Sequence, residues 1–197
     1  MPATTDLFSA KVMVWGPRLA KDLGLADFQS AGVFGNFGRE TGGFRLLQEQ
    51  KPTVKGSKGG YGWAQWTGPR RRAFEAWCKA NKFAVNTDEA NYGFLVHELT
   101  TPAYDQALAA LKRTKTLDHA VEVFEAQYEG AGVKAMAERK RWAKTALQAI
   151  EKAKASHAVA VVKVVAAVAK VASPAPKKAT AKPLAKKAAP ARRRRRA

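Results

Sequence analysis

The sequence predicts a mainly α-helical domain with one small β-hairpin or loop insertion, followed by a low-complexity basic tail. Three observations lead there. Apolar residues recur at helical spacing through most of the first 154 positions, as in Tyr92, Leu95, Val96 and Leu99. That periodicity lapses over residues 44–60, where Gly, Pro, Lys and Ser collect. Charge is also uneven: residues 1–150 hold 21 Lys and Arg against 15 Asp and Glu, whereas residues 151–197 hold 14 against 1. The expected organisation is a folded domain over 1–154, an Ala/Val-rich amphipathic or weakly helical segment over 155–172, and a disordered Pro/Ala/Lys/Arg polycation over 173–197.

Each element follows from its own signals. Leu7, Phe8, Val12, Val14 and Trp15 predict a first helix, stopped by Gly16-Pro17, and Pro17 opens a second short helix ending at Gly24. Asp27 is the expected N-cap of the next helix, with Phe28, Ala31, Phe34 and Phe37 along its apolar face. Small residues Ala31, Gly32 and Gly35 let that helix approach a neighbour closely. Gly42-Gly43 supplies a left-handed stop, so Glu40 falls in its last turn. Tyr61 to Trp66 reads as a short strand or extended turn. Gly68-Pro69 opens a helix carrying Arg70, Arg71, Arg72, Phe74 and Trp77. Asn86 with Glu89 reads as a capping pair for the helix through Leu99. Thr101-Pro102 starts another, with Tyr104, Leu108 and Leu111. Leu117, Ala120, Val121, Phe124 and Tyr128 mark the next, broken at Gly130-Ala131-Gly132. The last helix is expected from about Val133 to Lys154.

Composition narrows the function classes. The lone cysteine, Cys78, forms no intrachain disulfide and sits where a small buried hydrophobe fits. His97, His119 and His157 are scattered without metal-ligand spacing, so no metal or cofactor is expected. The N-terminus lacks a basic and then apolar secretory pattern, so synthesis in a reducing cytoplasm without a signal peptide is expected. The run His157 to Ala172 is too short and too charged for a comfortable membrane span.

One constellation carries chemistry. Glu40 ends an apolar-faced helix, and about twenty residues later comes Gly59-Gly60-Tyr61-Gly62-Trp63-Ala64-Gln65-Trp66-Thr67-Gly68. A carboxyl at the negative end of a helix dipole, near Phe37, Phe44, Trp63 and Trp66, is expected to hold its proton to higher pH; Arg39 would oppose this. Such an acid can protonate a leaving oxygen, as in glycoside cleavage. Gly-aromatic walls suit sugars, whose ring faces lie on aromatic rings. Gln65 is a candidate amide contact, Tyr61 and Thr67 candidate substrate contacts, and Trp63 and Trp66 are either sugar platforms or packing. Arg70 is a candidate contact to anionic groups. Glu49 is the only acidic residue between Glu40 and Glu75, which makes it the candidate water-activating base; Glu98 and Asp88 are more distant candidates.

Gly35-Asn36, Glu40-Thr41-Gly42-Gly43-Phe44 and Gly60-Tyr61-Gly62-Trp63-Ala64-Gln65-Trp66-Thr67-Gly68-Pro69-Arg70-Arg71 together resemble the phage tail lysozyme family of the lysozyme superfamily. They are distantly similar to goose-type lysozymes and lytic transglycosylases, with Ala64 where Met is usual in that segment. The resemblance covers roughly residues 5–150. It implies a lysozyme-like helical fold, a cleft for peptidoglycan glycan strands, and Glu40 as the acid that protonates the bond between N-acetylmuramic acid and N-acetylglucosamine. Hydrolysis would need a partner such as Glu49; a lytic transglycosylase would use the substrate's own 6-hydroxyl.

The tail admits two partners: an anionic envelope surface, lipopolysaccharide or anionic lipid, or nucleic acid. The folded part favours the envelope, hence action on the cell wall in the periplasm or within a virion, by a monomer. A glycan-binding virion protein that no longer cleaves is a further alternative.

Overall fold

Gln29 to Gly38, ten consecutive residues of one helix, are buried, and the first helix, the helix over Leu117–Phe124 and the last helix pack against that stretch. The computed structural model describes residues 4–52 and 56–172. Among these residues lie seven α-helices: α1 (Thr4–Leu23), α2 (Asp27–Glu40), α3 (Gly68–Ala80), α4 (Asp88–Leu99), α5 (Asp105–Arg113), α6 (Leu117–Phe124) and α7 (Met136–Ala172). A π-helical turn, Glu125–Glu129, follows α6. The chain is mainly α, as its periodicity predicts.

Small residues on α2 set the packing. A Cβ at Gly32 would lie 2.8 Å from Ala120 Cβ on α6. One at Gly35 would lie 2.5 Å from Ala143 Cβ and 2.7 Å from the Arg139 carbonyl on α7, and one at Gly38 would lie 2.6 Å from Trp142. The three glycines are three residues apart, so they form a stripe along which neighbouring backbones come close. Phe34 and Phe37, also on α2, reach the aromatic core formed with Trp15, Phe44, Trp63 and Phe124.

Four local expectations change. The helix expected to stop at Gly16-Pro17 continues to Leu23 as α1. Proline forfeits one backbone bond there, but Phe8, Val12, Trp15, Leu19 and Leu23 form an unbroken buried stripe. The Ser30 hydroxyl also donates to the Gly16 carbonyl at 2.9 Å. Ala26, not Asp27, caps α2; its N–H donates to the Gln29 side chain at 2.8 Å. Thr87, not Asn86, caps α4, its hydroxyl accepting from Ala90 N–H. The last helix runs from Met136 to Ala172, past the end expected at Lys154.

The insertion after α2 is a loop with two isolated antiparallel bridges, Gln48 to Tyr61 and Tyr61 to Trp66. Gly62 takes φ +79° there, where a Cβ would strike Asn91 Oδ1 and the Trp66 ring. Contacts divide the chain into Met1–Ala160 and Val161–Ala197. The described residues of the second unit are helical, with Val161, Val162 and Val164 exposed. The expected polycation, 173–197, lies outside the described residues, as do loop residues 53–55. Among the described residues no helix is long and apolar enough to cross a membrane.

Gly35→Ala forces a methyl into α7 backbone, an overpacking that costs about 1–3 kcal/mol. It should lower the melting temperature by about 2–4 °C per kcal/mol lost. Gly132→Ala, where an added Cβ meets nothing within 4 Å, should leave it unchanged. Thermal unfolding of the two variants checks the stripe.

Candidate active site

Glu40 is the last residue of α2, and the chain turns sharply after it. Thr41 Oγ1 donates to the Phe37 carbonyl at 2.7 Å and accepts from Phe44 N–H at 2.7 Å. Gly42, Gly43 and Phe44 all take positive φ. This reversal buries Phe44 in the core and leaves the Glu40 side chain at the surface of a cleft, 22 % exposed.

The cleft has a volume of about 380 Å3. Glu40, Arg39 and Glu49 line it with Gly60, Gln65 and Thr67, and Ala131, Gly132 and Val133 after the π-helical turn close it. Four predicted site residues, Glu40, Glu49, Gln65 and Thr67, therefore meet in one place. The Glu49 carboxylate accepts from Gly60 N–H at 2.7 Å, and Glu49 N–H donates to the Gly60 carbonyl at 2.8 Å. Gln65 sits at φ +47° and directs its amide N–H groups to the carbonyls of Gly62 (2.8 Å) and Leu47 (3.1 Å). Its amide thus holds the loop that carries Glu49. Thr67 is exposed and caps α3 without a side-chain bond.

The other candidates lie elsewhere. Trp63 and Trp66 are fully buried and offer no ring face to a sugar. Trp63 packs on Phe44, Phe34 and Trp15, and Trp66 on Phe74 and Phe94. They form the core behind the wall. Tyr61 stacks between Phe74 and the Arg71 guanidinium and is not among the cleft-lining residues. Arg70 grips Glu98 with two bonds of 2.9 Å and lines a separate groove with His97 and Tyr104. That pairing, with Trp66 Nε1 and the Tyr128 hydroxyl donating to Glu98 Oε2, makes Glu98 a structural group. Asp88 pairs with Lys11 of α1. Cys78 is fully buried, and burial pushes its thiol up to about 11.

Two residues at the site were not singled out from the sequence. Arg139 of α7 is 1 % exposed; its guanidinium donates to Glu40 Oε1 at 2.5 Å, Asn36 Oδ1 at 3.0 Å and the Lys134 carbonyl at 2.7 Å. Arg39, the expected partner of Glu40, instead pairs with Glu138 at 2.8 Å. Glu129 ends the π-helical turn, and its Oε1 is buried without a hydrogen-bond partner. Burial pushes its carboxyl up to about 8, the charge of Glu40 adds to this, and Arg70 and Arg139 oppose it. The i to i+3 and i to i+4 patterns used to find helices carry no sign of either residue. Among the described residues no group of three or more His, Cys, Asp or Glu side chains is placed to hold a metal ion. A larger groove of about 770 Å3, lined by Arg18, Asp22, Lys154 and His157, holds none of the candidates.

Arg139→Met should lower the unfolding free energy by about 3–5 kcal/mol, because Glu40 and Asn36 lose a buried charged donor. Arg39→Met, on the half-exposed pair, should change it by no more than about 1 kcal/mol. Urea unfolding of both variants separates the two pairs.

The family model described as phage tail lysozyme matches residues 16–150. No curated protein sequence and no solved structure matches the chain significantly. The matched stretch spans α2, the loop, the π-helical turn and the start of α7, and so contains every residue that lines the cleft. The chain belongs to the phage tail lysozyme family and is a lysozyme-like, peptidoglycan-cleaving enzyme.

Proposed function

We propose that the cleft cleaves the β-1,4 bond between N-acetylmuramic acid and N-acetylglucosamine, with Glu40 as general acid. The observation that carries this reading is the meeting of Glu40 and Glu49 in one cleft, at the end of a helix and on the loop facing it. Glu40 protonates the glycosidic oxygen as the C1–O bond breaks, and the electron pair leaves with that oxygen. Arg139, itself held by Asn36 Oδ1, fixes the carboxyl. Glu49 takes a proton from water, which adds to C1. Thr67 contributes a free hydroxyl at the rim, and backbone groups of the Gly60 and Gly132 segments supply further polar edges.

The bond from Gly60 N–H to Glu49 favours a second reading. There Glu49 holds the loop, and the muramic acid's own 6-hydroxyl attacks C1, leaving a 1,6-anhydro product. In both readings Glu40 gives the proton.

The strongly basic chain end extends the proposal. Residues 151–197 carry 14 basic residues and one acidic, and Val159, Val161, Val162 and Val164 are exposed on their helix. Cations with apolar side chains between them bind anionic lipid surfaces. The reading is therefore that the extension brings the enzyme to an anionic envelope.

Glu40→Gln keeps an acceptor for Arg139 and should remain folded, while release of soluble fragments from purified sacculi falls on the order of 10²–10⁴-fold. Near-native release by a folded variant would remove Glu40 from the mechanism. Mass spectrometry of the fragments, with Glu49→Ala alongside, divides the readings: reducing ends and a large loss support hydrolysis through Glu49. Anhydro ends with modest loss support the 6-hydroxyl. A chain lacking residues 155–197 should digest bare sacculi like the full chain and lose activity on intact cells. Equal activity on cells, with loss of nucleic-acid affinity alone, would assign the tail to nucleic acid.

A further inference from the structure

A second hollow adjoins the cleft. It has a volume of about 290 Å3 and is lined by the loop residues Gly56 to Gly59, by Gly68 and by side chains of α3. Both hollows are built on the same two stretches of chain. Gly60 and Thr67 line the cleft, and the residues beside them, Gly59 and Gly68, line the pocket. Consecutive Cα atoms lie about 3.8 Å apart, so a group seated against Gly60 or Thr67 is within one residue's length of the pocket wall. Gly59 takes φ +70°, and a Cβ there would strike Glu49 Oε2 and Pro52, whereas one at Gly68 would meet nothing within 4 Å.

Hydrogen bonds hold the boundary between the two. Gly60 N–H donates to Glu49 Oε2 at 2.7 Å. Arg71 Nη1 donates to the carbonyls of Lys58 at 2.6 Å and Gly59 at 3.0 Å. Arg71 Nε donates to Glu75 at 2.9 Å, and the guanidinium lies over the Tyr61 ring. Arg71 therefore ties α3 to the Lys58–Gly59 backbone and sets the shape of the pocket.

The charge lining the pocket is unbalanced. Lys58, Arg71 and Arg72 line it with one carboxylate, Glu75, and Arg71 already pairs with that carboxylate. Lys58 and Arg72 are exposed, and neither has an ion-pair partner among the described residues. Charges of one sign around a hollow attract the opposite ion. Peptidoglycan carries such an ion beside its glycan: the lactyl group of each N-acetylmuramic acid bears a short peptide with free carboxylates. Arg70, the candidate contact to anionic groups, is committed to Glu98. Resting on the reading of the cleft as the glycan site, we infer that the pocket is a subsite for carboxylates of the peptide stem, contacted by Lys58 and Arg72. Lys58 offers a point charge, and Arg72 a planar fork of donors that matches a carboxylate. The enzyme therefore favours stem-bearing glycan over bare glycan.

The test compares two soluble substrates made from the same sacculi. Glycan strands freed by an endopeptidase keep their stems, and strands freed by an amidase lose them. Any wall phosphate is common to both, so a difference between them reports the stem. Cleavage by the full chain is followed as shortening of the strands. Wild type should show kcat/KM about tenfold higher on stem-bearing strands. Lys58→Gln together with Arg72→Gln alters two exposed side chains and should leave the melting temperature unchanged. It should lose the preference through KM, with kcat held, and cleave bare strands as wild type does. Added salt should shrink the wild-type preference, because exposed charges are screened. Equal loss on both substrates, or loss on neither, overturns the proposal.

Two further arms complete the test. Stem-bearing strands with their carboxylates converted to amides should be cleaved by wild type no faster than bare strands. A preference that survives amidation overturns the carboxylate as the bound group. Binding is also titrated on a Glu40→Gln background, with and without the Lys58 and Arg72 changes. Those changes should weaken binding of stem-bearing strands about tenfold and leave bare strands unaffected. If Glu40→Gln still cleaves both strands, the Glu40 reading fails, and the titrations alone decide the pocket: equal affinities with and without the two changes overturn it.

Discussion

The Arg139 guanidinium, closed off from water between α2 and α7, is the interaction on which the site depends. A buried cation is tolerated only when it is paired and hydrogen-bonded, and here each of the three guanidinium nitrogens has a partner: the Lys134 carbonyl, Asn36 and Glu40. Asn36 can face Arg139 because its own amide is anchored to the carbonyls of Gly32 and Val121. The helices approach closely enough because Gly35 and Gly38 place no side chain between them. So a stripe of missing side chains on α2 leads, within one turn, to a fixed carboxyl at its end. Wider helix spacing would leave the guanidinium short of Glu40 and open to solvent.

A second ion pair, its carboxylate buried and its guanidinium partly so, lies at the separate groove. Glu98 receives Arg70, Trp66 Nε1 and the Tyr128 hydroxyl, which joins α3, α4 and the π-helical turn at one carboxylate. Burial and the Glu98 charge push the Tyr128 hydroxyl well above its usual range, so it remains a donor. The Arg70 guanidinium lies over the rings of Tyr104 and Tyr128. The two pairs hold their carboxylates in fixed orientations by directional bonds between helices. Helix packing alone would not supply these, because apolar contacts are non-directional.

What the sequence reveals divides along contact range. The end of α2 is legible, because Gly42-Gly43 marks a left-handed stop locally, and so is Glu40 as the carboxyl there. Glu49, Gln65 and Thr67 are legible as one wall, since Gly-rich spacing forces a turn that gathers them. Trp63 and Trp66 are misleading, because alternating Gly and aromatic residues read alike whether rings face a ligand or a core. Pro17 is misread as a stop because the buried stripe that carries α1 past it is sealed by contacts from distant helices. Arg139 lies 99 residues from Glu40, and Glu129 owes its position to a π-turn. Neither has a local signature, and only the tertiary fold brings them to the site.

That division explains why the Gly62-Trp63-Ala64-Gln65 segment puts Gln65 on the cleft wall although its tryptophan is hidden. Trp63 anchors the segment from inside, and its backbone N–H bonds Asn91 Oδ1 at 2.9 Å. Gly62 provides the bend that turns the chain outward, and Gln65, strained at positive φ, ties the turn to the Leu46–Leu47 backbone. A left-handed non-glycine residue persists only where its surroundings over-determine it, and three side-chain bonds do so here. The aromatic residues hold the wall rigid while its outer surface is left to backbone edges, the Glu49 carboxylate and the Thr67 hydroxyl. A polar wall on a rigid aromatic backing fits a glycan that is gripped mainly by its hydroxyl and amide groups. It also places the loop carboxylate opposite Glu40, whose own orientation is set from the other side by α7.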